Sequence, residues 1–297
     1  MDKSISSTHH PLPSIKIAHS PDADDIFMYY AIKFGWITTS FLYENIALDI
    51  ETLNESAIDG IYDVSAISFA LYPKIALDYA LLRTAVSFGE GYGPKLIKKR
   101  GKKLRHNFKV ALSGRHTTNA MLFKIAYPKA RIVYKNFLDI EQAVLNEEVD
   151  AGVLIHESIL NFDENLEVET EIWDIWLDLA KKELPLPLGG MAIRRSIPLN
   201  RAIAIEKELT KAVDVANCHR KILANMLLER KLVRIDASTL DKYLDLYANE
   251  KSIIMNEIQI EALNRLFQIG YEHNFYECPM DVKNFMIPVE YQTFRSS

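Results

Sequence analysis

Short apolar, β-branched runs alternate along the chain with segments of helical periodicity, and this alternation limits the possible folds more than any other feature. In the first third of the chain, the expected strands cover residues 15–18, 46–50 and 64–67. Helices are expected at 24–34 and 68–79. A short helix between them is expected to begin at Thr52, which forms a capping-box pair with Glu55. Strands that alternate with helices in this way predict an α/β fold with mainly parallel strands.

A second series of strands and helices follows and ends in a proline- and glycine-rich run at 184–190. The expected strands cover residues 108–112, 131–134 and 151–155, with helices at 117–126 and 139–146. Further helices are expected to begin at Ser238 and Asn256. A second α/β unit inserted within the first predicts a type II periplasmic-binding-protein-like fold, with two lobes and a cleft between them. The expected division is a disordered tail at 1–14, lobe 1 at 15–92 and 191–297, and lobe 2 at 93–190.

The composition excludes several classes of protein. The formal net charge is -5, and no stretch of about 18 apolar residues occurs, so neither nucleic-acid binding nor membrane insertion is predicted. Residues 1–14 lack the apolar core of a signal peptide. Cys218 and Cys278 are the only cysteines, and their separation predicts neither a zinc site nor a disulfide framework. A cytoplasmic protein without a bound metal fits these features.

A basic segment separates the two series of strands. Seven of the eleven residues from 95 to 105 are lysine or arginine. Such a run either forms a nucleic-acid patch or lies in a solvated loop or hairpin tip. Because no aromatic residues are interleaved with the charges, we expect the loop or hairpin tip.

The chemistry is expected in the turns between strands and helices, since ligands bind there in folds of this class. In the turn at 19–25, the carboxylates of Asp22, Asp24 and Asp25 precede a helix. The free N–H groups at the helix start would stabilise such charges in a binding cleft. A plain N-cap, which needs only one carboxylate, is the alternative.

Two further turns place hydroxyl and backbone N–H groups at helix starts. One leaves a strand through Ala66, Ile67 and Ser68. The other follows Gly114 and includes Thr117, Thr118, Asn119 and Ala120. Groups at such positions suit an anion such as a carboxylate. Helix capping alone would also explain Ser68 and one of the threonines.

The fourth turn begins with His156, directly after the strand expected at 151–155. A neutral imidazole accepts a proton near neutral pH, so His156 is a candidate general base. A structural histidine is the alternative. The expected position at the cleft edge, without a competing cysteine or metal cluster, favours the catalytic interpretation.

These turns occur in an order that resembles the 1,4-dihydroxy-6-naphthoate synthase family, a family of menaquinone biosynthesis through futalosine. The matching elements are Ser20-Pro21 with Asp25 and Phe27, Glu51-Thr52-Leu53-Asn54, the segment 89–94, Gly114-Arg115-His116-Thr117-Thr118, Asp150-Ala151-Gly152 with Ile155-His156-Glu157, and the run 184–190. One such motif is weak evidence, whereas the ordered set over residues 15–195 is specific.

The resemblance implies a lyase. Enzymes of this family convert cyclic dehypoxanthinylfutalosine to 1,4-dihydroxy-6-naphthoate and release dihydroxyacetone, and no metal or organic cofactor is implied. The proton-accepting histidine of the family corresponds to His156. The substrate-binding positions correspond to Ala66, Ile67, Ser68, Thr117, Thr118, Asn119 and Ala120.

The sequence departs from the family pattern at two places. The family often has Cys-Pro-Asn-Asp where this chain has Asp22-Ala23-Asp24-Asp25, and often arginine where this chain has Glu90. Both departures make the expected mouth of the cleft more acidic, so they bear on how the substrate is bound.

Three other interpretations share the expected fold. A solute-binding protein would need export, which the absent signal peptide disfavours. The sibling enzyme chorismate dehydratase is disfavoured, because the turns at His156 and at Thr117 fit the synthase better. An anion-sensing regulatory domain is disfavoured because no DNA-binding module accompanies it.

Overall fold

A computed structural model describes residues 12–290, without the side chain of Asp24. Most of the tail expected at 1–14 lies outside the described residues. The strands are β1 (Ser14–His19), β2 (Leu42–Ala47), β3 (Val64–Ser68), β4 (Tyr79–Leu81), β5 (Ser87–Gly89), β6 (Lys95–Lys99), β7 (Lys109–Leu112), β8 (Arg131–Tyr134), β9 (Ala151–Leu154), β10 (Leu166–Glu171) and β11 (Leu186–Arg194). The α-helices are α1 (Ala23–Lys33), α2 (Ile50–Ile58), α3 (Tyr72–Ile75), α4 (Thr118–Ala126), α5 (Ile140–Leu145), α6 (Ile172–Ala180), α7 (Leu199–Cys218), α8 (Arg220–Glu229), α9 (Ala237–Tyr247) and α10 (Glu257–Glu272). Short 3-10 helices cover Phe69–Leu71, Phe137–Asp139, His156–Ile159, Glu250–Ser252 and Val282–Phe285.

The strands form two separate sheets. The first has the order β2-β1-β3-β11-β4, and β5 also pairs with β11; the second has the order β10-β6-β9-β7-β8. β1 is parallel to β2 and β3, and β7 is parallel to β8 and β9, as the α/β rhythm predicts. The chain passes to the second sheet between β5 and β6 and returns with β11. The lobe boundaries given above remain predictions.

Two short strands, β3 and β9, lead into the turns that begin at Ser68 and His156. All five residues of β3 and all four residues of β9 are buried. Burial of Ile67 or Val153 contributes roughly 1.5–3 kcal/mol each, so the backbones that lead into Ser68 and His156 are firmly fixed. Within residues 12–290, none of the helices combines the length and the apolar character needed to cross a bilayer.

The start of α2 differs from the prediction. The strand expected at 46–50 is displaced to β2, and Ile50 already belongs to the helix. β2 pairs with β1 along the full length of β1, from Ser14 opposite Leu42 to His19 opposite Ala47. That pairing sets the position of the strand, which the local sequence does not. The N-cap is Asp49, which accepts from the N–H groups of Glu51 and Thr52, so the capping box predicted at Thr52 is wrong.

The later helix starts are partly as predicted. Asn256 and Gln259 form the expected capping box, with reciprocal bonds of 2.9 and 2.8 Å. The helix predicted to begin at Ser238 begins earlier, because Asp236 accepts from the Thr239 N–H at 3.0 Å. The helix expected over 68–79 is also interrupted: after a 3-10 turn and α3, the chain re-enters the sheet as β4 to pair with β11.

The basic segment is a central strand rather than a loop over residues 95–99. β6 lies between β10 and β9, and Leu96 and Ile97 are fully buried. Lys98 forms ion pairs with Glu169 and, at 3.5 Å, with Glu167 on the neighbouring strand. The expectation of a solvated tip was wrong here because the acidic strand β10, distant in sequence, neutralises the lysines.

Candidate active site

A cleft lies where the C-terminal ends of β1, β3 and β9 approach the start of α4. It contains about 790 Å³ of empty space, part of it open to solvent. Seven of the eight predicted site residues line it, namely Ala66, Ile67, Ser68, Thr117, Thr118, Asn119 and His156. Ala120 does not line the cleft, because it is fully buried in α4, where its N–H donates to Thr117 Oγ1 at 3.3 Å.

His156 follows β9 in an unusual backbone conformation. Its φ is +54°, in the left-handed region, which costs a residue other than glycine roughly 1–3 kcal/mol. The ring packs edge-on against Phe137, with centroids 5.0 Å apart. Nδ1 lies 2.8 Å from Asp22 Oδ2, and the side chain is 19% exposed. The strained turn thus holds the imidazole at the edge of the cleft.

Asp22 is the N-cap residue of α1, but its side chain makes no capping hydrogen bond. The carboxylate is 1% exposed and accepts from Ser20 Oγ. Its second oxygen, Oδ1, accepts from Arg234 at 2.9 Å. Burial alone would raise its pKa, but His156, Ser20 and Arg234 together bring the pKa of Asp22 below its usual range. The plain N-cap alternative therefore does not describe Asp22.

Arg234, in the loop between α8 and α9, connects this group to two further residues. Its guanidinium lies 5.1 Å from the centre of the Phe137 ring and 3.6 Å from Glu157 Oε2. Glu157 Oε1 accepts from the N–H of Ala23, the first residue of α1, at 3.2 Å. Burial and the nearby Asp22 raise the pKa of Glu157, against the opposing effects of His156 and Arg234.

Asp25 and His19 complete the acidic turn. Asp25 lines the cleft and accepts from the Ser20 N–H at 2.8 Å. Burial, together with the charge of Asp22, raises the pKa of Asp25 to about 7. His19 borders a smaller adjoining cavity, with Nδ1 2.6 Å from the Ser20 carbonyl oxygen, and burial lowers its pKa. A buried imidazole that prefers to be neutral is typical of a structural histidine.

The threonine turn is both a helix cap and part of the cleft wall. Thr117 is the N-cap of α4 and also donates to Asn119 Oδ1 at 3.1 Å. Thr118 Oγ1 donates to the Leu188 carbonyl oxygen and accepts from the Ala70 N–H, both at 3.2 Å. Both hydroxyls thus support the turn itself, and the capping alternative applies to Thr117.

Two residues of α2 hold the two predicted binding turns. Glu51 accepts from the N–H groups of Arg115 and His116, which precede Thr117. Asn54 is fully buried, accepts from the Ser68 N–H at 2.9 Å and donates to Ser68 Oγ at 3.1 Å. Ser68 makes no capping hydrogen bond with its side chain, so the capping alternative does not describe it.

Sequence reasoning missed Arg234 and the supporting roles of Glu51 and Asn54. The roles of Glu51 and Asn54 could have been predicted from the motif that contains them. Polar residues on a short helix next to two cleft turns suggest contacts to those turns. Arg234 has no such signal, because it lies in an apolar stretch of a region expected to be only helical.

Comparisons with known proteins agree with this geometry. A family model described as menaquinone biosynthesis matches residues 15–272. The chain is 26% identical over 259 residues to 1,4-dihydroxy-6-naphthoate synthase of Thermus thermophilus, with 86% of this chain and 93% of that protein covered. The predicted resemblance is thus confirmed.

Solved structures support the fold. The protein AF1704 from Archaeoglobus fulgidus is 33% identical, with a TM-score of 0.82, and the match covers 88% of this chain and 98% of that one. The periplasmic aliphatic sulphonate binding protein SsuA from Escherichia coli is 11% identical, with a TM-score of 0.61 and 97% of each chain covered. The second likeness concerns the fold alone. The chain therefore belongs to the menaquinone biosynthesis family, as an enzyme with the two-lobed fold of periplasmic binding proteins.

Proposed function

We propose that the protein is a cytoplasmic lyase that converts cyclic dehypoxanthinylfutalosine to 1,4-dihydroxy-6-naphthoate and releases dihydroxyacetone. The observation that carries the proposal is the common position of His156 and the Thr117 turn on the wall of one cleft. A base and an anion-binding turn in one cleft are what cleavage of a carboxylated, hydroxylated substrate requires. The family of the chain supports a reaction of menaquinone biosynthesis, and the name of the Thermus thermophilus relative supports 1,4-dihydroxy-6-naphthoate as the product.

His156 serves as the general base in this proposal. With the proton of the neutral ring on Nδ1 and directed at Asp22 Oδ2, 2.8 Å away, Nε2 is the nitrogen that takes up a proton. It removes a proton from a hydroxyl group or an acidic carbon of the substrate, and a carbon–carbon bond then breaks. Aromatisation to the naphthoate favours the product. A positioned base contributes about 10²- to 10⁴-fold to the rate.

The turn residues Ala66–Ser68 and Thr117–Asn119, which line the cleft, bind the substrate in this proposal. The hydroxyls of Thr117 and Thr118 are engaged within the protein, so the backbone N–H groups at the start of α4 are the main donors to an anionic oxygen. The helix dipole favours a negative charge at this position.

The test is incubation of the purified protein with cyclic dehypoxanthinylfutalosine, followed by mass spectrometry. We expect 1,4-dihydroxy-6-naphthoate and dihydroxyacetone in equal amounts, and neither product with His156→Asn on the same timescale. Consumption of chorismate instead would identify the sibling dehydratase. Tight binding of the futalosine derivative without turnover would indicate a binding protein, and either outcome would refute the proposal.

A further inference from the structure

The partner of His156 comes from the other sheet of the protein. Asp22 follows β1 of the first sheet, and His156 follows β9 of the second. Their 2.8 Å contact therefore spans the cleft. A second contact crosses at the same place, since Glu157 Oε1 accepts from the Ala23 N–H at 3.2 Å. The start of α1 is thus joined to the histidine turn by two neighbouring bonds.

The environment of Asp22 is not what helix capping requires. An N-cap carboxylate works well at the surface, whereas Asp22 is 1% exposed and caps nothing with its side chain. Burial of a carboxylate costs several kcal/mol unless it is paired. Here Oδ2 faces His156 and Ser20, and Oδ1 faces Arg234. With both oxygens held from different directions, the carboxylate cannot turn away from the imidazole.

We infer that Asp22 is a positioning residue for His156, supplied across the cleft to fix the ring and keep its proton on Nδ1. This inference rests on the proposed role of His156 as the base. A carboxylate in this position selects one imidazole tautomer and stabilises the imidazolium that forms during proton transfer. Because Asp22 follows a strand of one sheet and His156 a strand of the other, the base is complete only when the two sheets lie so that Asp22 Oδ2 is within 2.8 Å of His156 Nδ1.

The charges around His156 determine what a change at Asp22 should do. Asp22 faces it from the turn before α1, Glu157 from its own 3-10 helix, Asp25 from α1, and Arg234 acts beyond Asp22 from the α8–α9 loop. Asp22 Oδ2 lies within hydrogen-bond distance of His156 Nδ1, at 2.8 Å. An adjacent anion favours the protonated imidazole, so its removal should move the titration of His156 to lower pH.

The experiment compares wild type with Asp22→Asn in protein labelled with ¹⁵N-histidine, using His156→Asn to identify the signal. We expect Nδ1–H as the neutral tautomer in wild type, and a mixed or Nε2–H tautomer in Asp22→Asn. We also expect kcat to fall by about 10²- to 10⁴-fold, KM to change less than about threefold, and the acid limb of kcat to move down by about one pH unit. Asp22→Glu, which keeps the charge, should return the acid limb towards its wild-type position.

Glu206→Gln is the matched control. Glu206 is also a buried carboxylate paired with an arginine, Arg83, but neither residue lines the cleft. It should lower stability without any change in the tautomer or the acid limb. An Nε2–H tautomer in wild type would overturn the inference even if Asp22→Asn failed to fold. An unchanged tautomer in folded Asp22→Asn would do the same. The NMR readout needs no substrate, so it separates this inference from the proposed function.

Discussion

Glu51 accepts a 2.6 Å hydrogen bond from the backbone N–H of Arg115 and so ties α2 to the turn that begins the cleft wall. The same carboxylate accepts from the His116 N–H at 3.2 Å. Gly114 is needed beside it, because a Cβ at that position would collide with Glu51 Oε2. The contact fixes the approach to Thr117 from a helix about sixty residues earlier in the chain.

Replacement of Glu51 should therefore weaken substrate binding. In Glu51→Ala, two backbone donors lose their acceptor, and because the bond from Arg115 is exposed to water we expect a loss of only about 0.5–1.5 kcal/mol of unfolding free energy. We expect KM to rise about tenfold, with a smaller change in kcat. Glu55→Ala is the control, because Glu55 is exposed on the same helix. Urea denaturation and steady-state kinetics measure both effects, and an unchanged KM in Glu51→Ala would contradict the role.

Replacement of Thr117 and Thr118 distinguishes the contribution of their hydroxyls to substrate binding from that of the backbone N–H groups. Thr118→Val leaves the buried Ala70 N–H and Leu188 carbonyl without the hydroxyl that joins them, so we expect a loss of about 1–3 kcal/mol. Thr117→Val removes an N-cap at a cost of about 1 kcal/mol. The double variant should raise KM because the turn loosens. Thr117→Ser keeps the cap and should bind substrate normally; a double variant with unchanged KM and rate would exclude the side chains from the site.

His156→Asn tests the base directly. Asparagine tolerates the left-handed backbone better than most residues, and the wild-type φ is +54°, so the variant should fold and bind substrate. Turnover should fall by about two to four powers of ten. His106→Asn, at an exposed position, should leave turnover unchanged. Near-normal turnover in folded His156→Asn would show that another group is the base, and His19 and His116 would be tested next.

Asp25 predicts a specific pH dependence of stability. Its pKa is about 7 in the folded protein, against about 3.9 for an unfolded chain. The stability from this group is therefore full below about pH 4 and is lost as the pH rises through 7. Asn at this position cannot ionise, so Asp25→Asn should gain about 1–3 kcal/mol relative to wild type between pH 4 and pH 8. Urea denaturation at pH 4 and pH 8 measures the difference in unfolding free energy between Asp25→Asn and wild type. The same difference at both pH values would contradict the raised pKa.

Much of the fold follows from local patterns. The strand at 131–134 was predicted to the residue, and the helix after Thr117 was predicted within one residue. Both have a clear periodicity and a clear start signal, which depend only on near neighbours. Where the signals were weaker, as for β2 and β6, pairing with strands distant in sequence decided the outcome.

The candidate site shows the same division. The sequence by itself determined that His156 follows a buried strand and that a helix begins at the threonine turn, because strand burial and helix starts are local properties. Only the tertiary structure decided that His156 meets Asp22, and that Arg234 meets Asp22 from 212 residues further along the chain. Such contacts arise when separate sheets and helices dock, and the docking depends on packing over the whole molecule, which no short segment encodes.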